Sequence, residues 1–238
     1  MTFERAIFLS STLLKEIGPD NLPLRMGSGC LVNYEGMRIL LTVSHTTKNQ
    51  GKWCIEMRYE PGKGTSLWSL GAMNFLLKGT LGGTSLEHVD FSYVEVPGDL
   101  QPWRQKILSA TEASDDAPVT VHELDFGAEL SADRRYGFCG AVLPSLEKHT
   151  TGTFLFADLM VYEGLSYLRS EDEYHVFKLP MAHPGHEYFK GASGAPVIDD
   201  EGHVVALVCS GSIDTDEIRA ISVARYRTVL DILVGKIK

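Results

Sequence analysis

About a dozen short apolar segments, broken by turn residues and with little helical periodicity between them, limit what this chain can fold into. They run over 28–34, 37–43, 53–59, 90–96, 119–124, 136–142, 153–162, 174–179, 195–198, 203–209 and 219–223. Glu35-Gly36 between the first two is a hairpin signal, and 23 glycines and 10 prolines supply turns along the whole chain. Strands at this spacing predict an all-β protein, either closed barrels or a sandwich. A chain of 238 residues makes one large domain or two small ones. It buries roughly 70–75% of its unfolded surface, so its core needs no disulfide.

The two ends read differently. Phe3, Ile7, Ser10, Leu13, Leu14 and Ile17 fall on one helical stripe that Gly18-Pro19 ends, which predicts a helix over 3–17. Tyr226, Val229, Leu230, Leu233 and Ile237 predict a second helix over 224–237. Residues 97–117 are rich in Pro, Asp and Ser and read as a connection between two strand-rich halves.

Charge and cysteine content exclude some functions. The formal net charge of −9, with no basic run, argues against nucleic acid as a partner. Cys30, Cys54, Cys139 and Cys209 form no CxxC pair and no zinc spacing, and are expected to be reduced and mostly buried. His183 and His186 suggest a metal pair with no third ligand, so no metal or cofactor is expected. The acidic loops 199–201 and 214–217 lack calcium-loop spacing and read as hairpin turns. The early charges Glu4 and Arg5 do not fit a signal peptide, and Val204–Cys209, the longest apolar run, is too short for a bilayer. A cytoplasmic protein off the membrane is the expectation.

Three segments carry chemistry. In Gly191-Ala192-Ser193-Gly194-Ala195-Pro196, small neighbours let the backbone turn sharply around an exposed hydroxyl. The amides of Gly191 and Ser193 are then candidates for an oxyanion hole, each donor worth about 3 kcal/mol in a transition state. A serine needs a base, and His45 stands where an apolar strand ends, in Leu41-Thr42-Val43-Ser44-His45. Asp90 opens the strand Asp90-Phe91-Ser92-Tyr93-Val94, where a buried carboxylate needs a partner.

Together these blocks resemble the chymotrypsin/trypsin family. Thr42-Val43-Ser44-His45 is similar to its T-A-A-H block, Asp90-Phe91-Ser92-Tyr93 to D-I-A-L, and Gly191 to Pro196 to G-D-S-G-G-P. The order is His, Asp, Ser, with spacings of 45 and 103 residues. Val208-Cys209-Ser210-Gly211 resembles V-S-W-G, which pairs with the substrate backbone. The resemblance covers 24–238 and implies two antiparallel six-stranded β-barrels. These are placed at 24–117 and 118–223, after a helical extension over 1–23 and before a C-terminal helix over 224–238. It implies a serine endopeptidase acting on protein or peptide substrates through an acyl-enzyme. His45, Asp90 and Ser193 would be its triad, and Cys209, Ser210 and Gly211 would bind substrate. Glu187 stands where trypsin has its pocket-floor carboxylate, which would favour a basic residue if Lys190 leaves it free.

The chain also departs from the family. Thr46 stands where a disulfide partner of Cys30 would be, and Ala192 replaces the aspartate that a zymogen uses for activation. HtrA-type and bacterial intracellular members also lack that aspartate, but no room remains here for a PDZ domain. Control would come from elsewhere, with the N-terminal helix a candidate for a regulatory partner or self-association. Similar bacterial proteins suggest stress or antiphage defence by analogy. Two alternatives stand beside this: a catalytically silent binding or scaffold module on the same fold, and acyl chemistry on a non-peptide ester.

Overall fold

In the computed structural model every residue is described except 49–50, 61–62, 80–84, 106, 110–111, 114–116, 150–151, 186 and 238, together with the side chains of 107–109, 112–113, 149 and 152. The first half contains helix α1 (Phe3–Ser10) and strands β1 (Thr12–Ile17), β2 (Pro23–Tyr34) and β3 (Met37–Thr42). Helix α2 (Ser44–Thr47) follows, then β4 (Lys52–Glu60), β5 (Gly64–Ser69), β6 (Asn74–Gly79) and β7 (Leu86–Glu95). Short pieces make the crossing: β8 (Trp103–Arg104), β9 (Ile107–Ser109), β10 (Glu112–Ala113), β11 (Ala117–Pro118) and β12 (His122–Glu123). The second half holds β13 (Tyr136–His149), β14 (Gly152–Glu171), β15 (Tyr174–Lys178), β16 (Pro196–Asp199), β17 (Val204–Ser212) and β18 (Glu217–Ser222), then a 3₁₀ turn (Ala224–Tyr226) and α3 (Arg227–Leu233).

The second half closes as a barrel in the order β13-β14-β15-β18-β17-β16. The first half is a sheet ordered β5-β4-β1-β2-β3-β7-β6, with β12 added parallel to β2. Alternate residues of β2 and β3 point to different cores. Leu31 and Leu40 join Leu14, Trp53, Ile55 and Val94 inside the first sheet. Cys30, Val32, Ile39 and Leu41 face Cys139, Ile198, Leu207 and Ile221 of the second barrel. Burial on both faces explains why Cys30–Val32 and Ile39–Leu41 read as short apolar runs rather than as alternation.

The expected helix over 3–17 is half strand. Thr2 Oγ1 caps α1 by accepting from Arg5 N at 3.3 Å, but Ser11 is extended, with φ −101° and ψ 147°. Beyond it Thr12, Leu14 and Glu16 are buried in alternation. Two of those three inward positions are polar, and Leu13, Leu14 and Ile17 fit a helical stripe better, so pairing with β2 and β4 decides the outcome. The buried Glu16 carboxylate accepts from Arg25 Nε at 2.5 Å and fills the space over Gly51, where a Cβ would lie 1.9 Å from its oxygen. Residues 12–17 thus belong to the first sheet and not to an extension. Helix α1 itself is packed within the fold: Ile7 is fully buried, lying where a Cβ on Gly137 of β13 would be 2.3 Å from its Cδ1.

The C-terminal helix is shorter than expected, because Gly235 at φ +77° ends it. Tyr226 stacks on Phe91 with centroids 4.4 Å apart, and the Tyr34 hydroxyl donates to Asp231. The predicted strand over 119–124 shrinks to β12, whereas β14 extends well past the expected 153–162.

Deleting residues 1–17 removes a central strand. We expect loss of the cooperative fold, seen by circular dichroism and size exclusion, rather than a folded protein with altered regulation. Leu14→Ala should cost about 2–5 kcal/mol in urea denaturation.

Candidate active site

β3 ends at Thr42, the chain stays extended through Val43 (φ −96°, ψ 144°), and α2 turns His45 toward the seam between the two halves. β7 pairs with β3 so that Thr42 lies opposite Ser92, and this register sets Asp90 beside the start of α2. The Asp90 carboxylate is 2.8 Å and 3.0 Å from His45 Nδ1 through its two oxygens. It also accepts from the His45 backbone N–H at 2.9 Å and from Ser44 Oγ at 3.1 Å. A carboxylate only accepts, so Nδ1 carries the proton and neutral His45 keeps Nε2 as its acceptor. Burial raises the Asp90 carboxyl, but its bonds from His45 and Ser44 outweigh that and hold it below the ordinary carboxylate value.

Ser193 comes from the loop between β15 and β16. Ala192 N donates to Phe189 O at 2.9 Å, Ala195 N to Ala192 O at 2.9 Å, and Gly194 N to Val208 O at 2.8 Å. Gly194 has φ +89°, and a Cβ there would lie 2.1 Å from Ser28 O and 2.2 Å from Thr42 Oγ1, so only glycine fits. Ser28, fully buried in β2, fastens this loop twice. Its Oγ donates to Gly191 O at 2.8 Å and its N–H to Ser193 O at 3.0 Å. Ser28 stands between Gly27 and Gly29 in the sequence. A buried serine between two glycines was the signal for this role.

One cleft of about 390 Å³ is bounded by His45, Asp90 and Ser193 together with Cys209, Ser210 and Gly211. The six residues expected as triad and substrate-pairing strand are therefore brought together. Among the described residues, no hydrogen bond joins the Ser193 hydroxyl to the imidazole; the two groups share the cleft. Gly191 forms an antiparallel bridge with Ala141 beside it. Burial, and then the Asp90 charge, push the Cys209 thiol well above its ordinary pKa, so it stays protonated. All four cysteines are free and buried.

Glu187 does not line the cleft. It is exposed and pairs with Lys190 at 2.6 Å. A neutralised carboxylate outside the cleft is no floor for a basic side chain. The apolar wall there is made by Phe189, Val208 and Ile218. His183 also lines the cleft: its N–H donates to Asp216 Oδ1 at 2.8 Å and its Nδ1 accepts from Gly185 N at 3.0 Å. His186, its possible metal partner, lies outside the described residues. Among the described residues one cluster has metal-ligand types, Asp199, Glu201 and His203. Arg134 Nη1 already bonds Asp199 at 2.6 Å and Glu201 at 3.0 Å, so these carboxylates serve a turn. No helix among the described residues is long and apolar enough to cross a membrane.

No protein-family model and no curated protein sequence matches the chain. Solved structures do. Human heparin binding protein matches with TM-score 0.58 and 13% identity over 99% of this chain and 95% of its own. A serine endoprotease from Yersinia pestis matches with TM-score 0.55 and 14% identity over 98% of this chain and 67% of its own. The chain thus has the trypsin-like double-barrel fold, with N- and C-terminal helices.

Because Asp90 titrates lower folded than unfolded, the hydrogen bonds it accepts from His45 and Ser44 stabilise the protein above the ordinary carboxylate pKa of about 4. That contribution is lost as pH falls through the lower folded value. Asp90→Asn should therefore destabilise the protein in urea at pH 7, with a difference that shrinks toward zero in acid. An equal difference at both ends would contradict this assignment.

Proposed function

We propose that the chain is a serine endopeptidase. One observation carries the reading: an imidazole clamped by both oxygens of Asp90 opens onto the same cleft as a serine whose backbone is fixed from both halves of the fold. Ser193 Oγ attacks the substrate carbonyl carbon while His45 Nε2 takes its proton. The imidazolium, held by Asp90, passes that proton to the leaving amine as the peptide bond breaks. Water then repeats the sequence on the acyl-enzyme and frees Ser193. The amides of Gly191 and Ser193 serve the oxyanion, supported by the anchoring of both residues' carbonyls on Ser28. Residues 209–211 of β17 pair with the substrate backbone. Four free buried thiols fit a reducing, cytoplasmic setting.

A fluorophosphonate probe tests the reading. It should label the wild type and not Ser193→Ala. Absence of a Ser193-dependent label would favour the binding-module alternative. Among peptidase variants, Ser28→Ala removes one of the two anchors while β2 stays paired. We expect kcat to drop by about ten- to a hundredfold, with KM and the melting temperature changed much less. A uniform loss of stability instead would make Ser28 a packing residue.

A further inference from the structure

The cleft carries two cationic side chains, although the protein as a whole is acidic. Its one carboxylate among the described lining residues, Asp90, is consumed by His45. Two side chains of fixed positive charge reach it, Lys190 and Arg219. Lys190 is neutralised by Glu187 at 2.6 Å. Arg219 is not matched in that way. Its nearest carboxylate, Glu171, is 3.6 Å from Nη2, and the same carboxylate is held more closely by Arg169 Nε at 2.6 Å.

The fold holds Arg219 in place. β18 pairs with β17 and β15, which sets Arg219 opposite Ser210 and makes Tyr174 its diagonal neighbour on the barrel's outer face. The guanidinium lies over the Tyr174 ring, with Cζ 4.6 Å from the centroid. Tyr174 and Ser210 both line the cleft. A planar cation stacked on one face keeps its N–H edge for a carboxylate.

Resting on the endopeptidase reading, we propose that Arg219 on Tyr174 is an anion subsite, and that the preferred substrate carries a Glu or Asp side chain close to the cleaved bond, on the stretch that pairs with β17. This replaces the basic preference that Glu187 suggested. A net charge of −9 repels an acidic partner at long range. Recognition is therefore local, and selects one acidic side chain rather than an acidic surface.

The test is a peptide panel in which each position flanking the cleaved bond is varied among Glu, Gln and Lys. We expect kcat/KM for Glu over Gln to be on the order of tenfold at one position. That preference should vanish in Arg219→Gln, return in part in Arg219→Lys, and turn toward Lys in Arg219→Glu. Equal rates for Glu and Gln peptides in the wild type, or a Glu preference unchanged in Arg219→Gln, overturns the subsite. Thermal melts establish that each variant is folded. Two further readouts separate this inference from the reading beneath it. Fluorophosphonate labelling without any acidic preference sinks the subsite alone. Fluorescence anisotropy with Ser193→Ala reports binding without chemistry, and tighter Arg219-dependent binding of the Glu peptide supports the subsite even if no cleavage is seen.

Discussion

The buried hydroxyl and amide of Ser28 are what turn two β-structures into one site. His45 and Asp90 belong to the first sheet and Ser193 to the second barrel's loop. Nothing along the sequence fixes the distance between them. The two bonds from Ser28 to the carbonyls of Gly191 and Ser193 do, and they are made where no water competes. Thr42 Oγ1 donates back to Ser28 O at 2.8 Å, which ties the same point to the strand that leads into His45. A displacement of Ser28 is therefore felt by His45 and Ser193 together.

That arrangement needs a rigid seam, and the seam is apolar. β2 and β3 send one set of side chains into the first sheet's core and the other set against β16, β17 and β18. Helix α1 and the C-terminal turn close the seam from outside through Ile7, Tyr226 and Leu230. The halves are thus not two domains hinged by a linker. They share a core, and the cleft lies along its open edge.

Much of this was legible in the sequence because the blocks around His45, Asp90 and Ser193 combine a local pattern with a physical need. A base at a strand end, a carboxylate entering a strand and a serine among small residues each imply a partner elsewhere. The strands at 28–34, 37–43 and 136–142 were readable because burial on both faces gave them short apolar runs between turn residues. Three things were hidden. In Thr12–Ile17 the apolar residues follow a helical stripe while polar Thr12 and Glu16 point inward, so only pairing could decide it. β5 and β6 are edge strands with exposed residues such as Leu67 and Leu77, and carry no clear alternation. Glu187 matched a family position by count, but the loop turns it outward to Lys190, and spacing alone does not report direction.

Ala192 is wholly buried, and a Cβ on Gly140 would come within 2.6 Å of its methyl. The two positions share room for a single methyl group. The loop before Ser193 is therefore shaped by volume, where a zymogen shapes it by charge. A carboxylate introduced at 192 would find no space there. On the endopeptidase reading, restraint of such a molecule would act on entry to the cleft rather than on this loop.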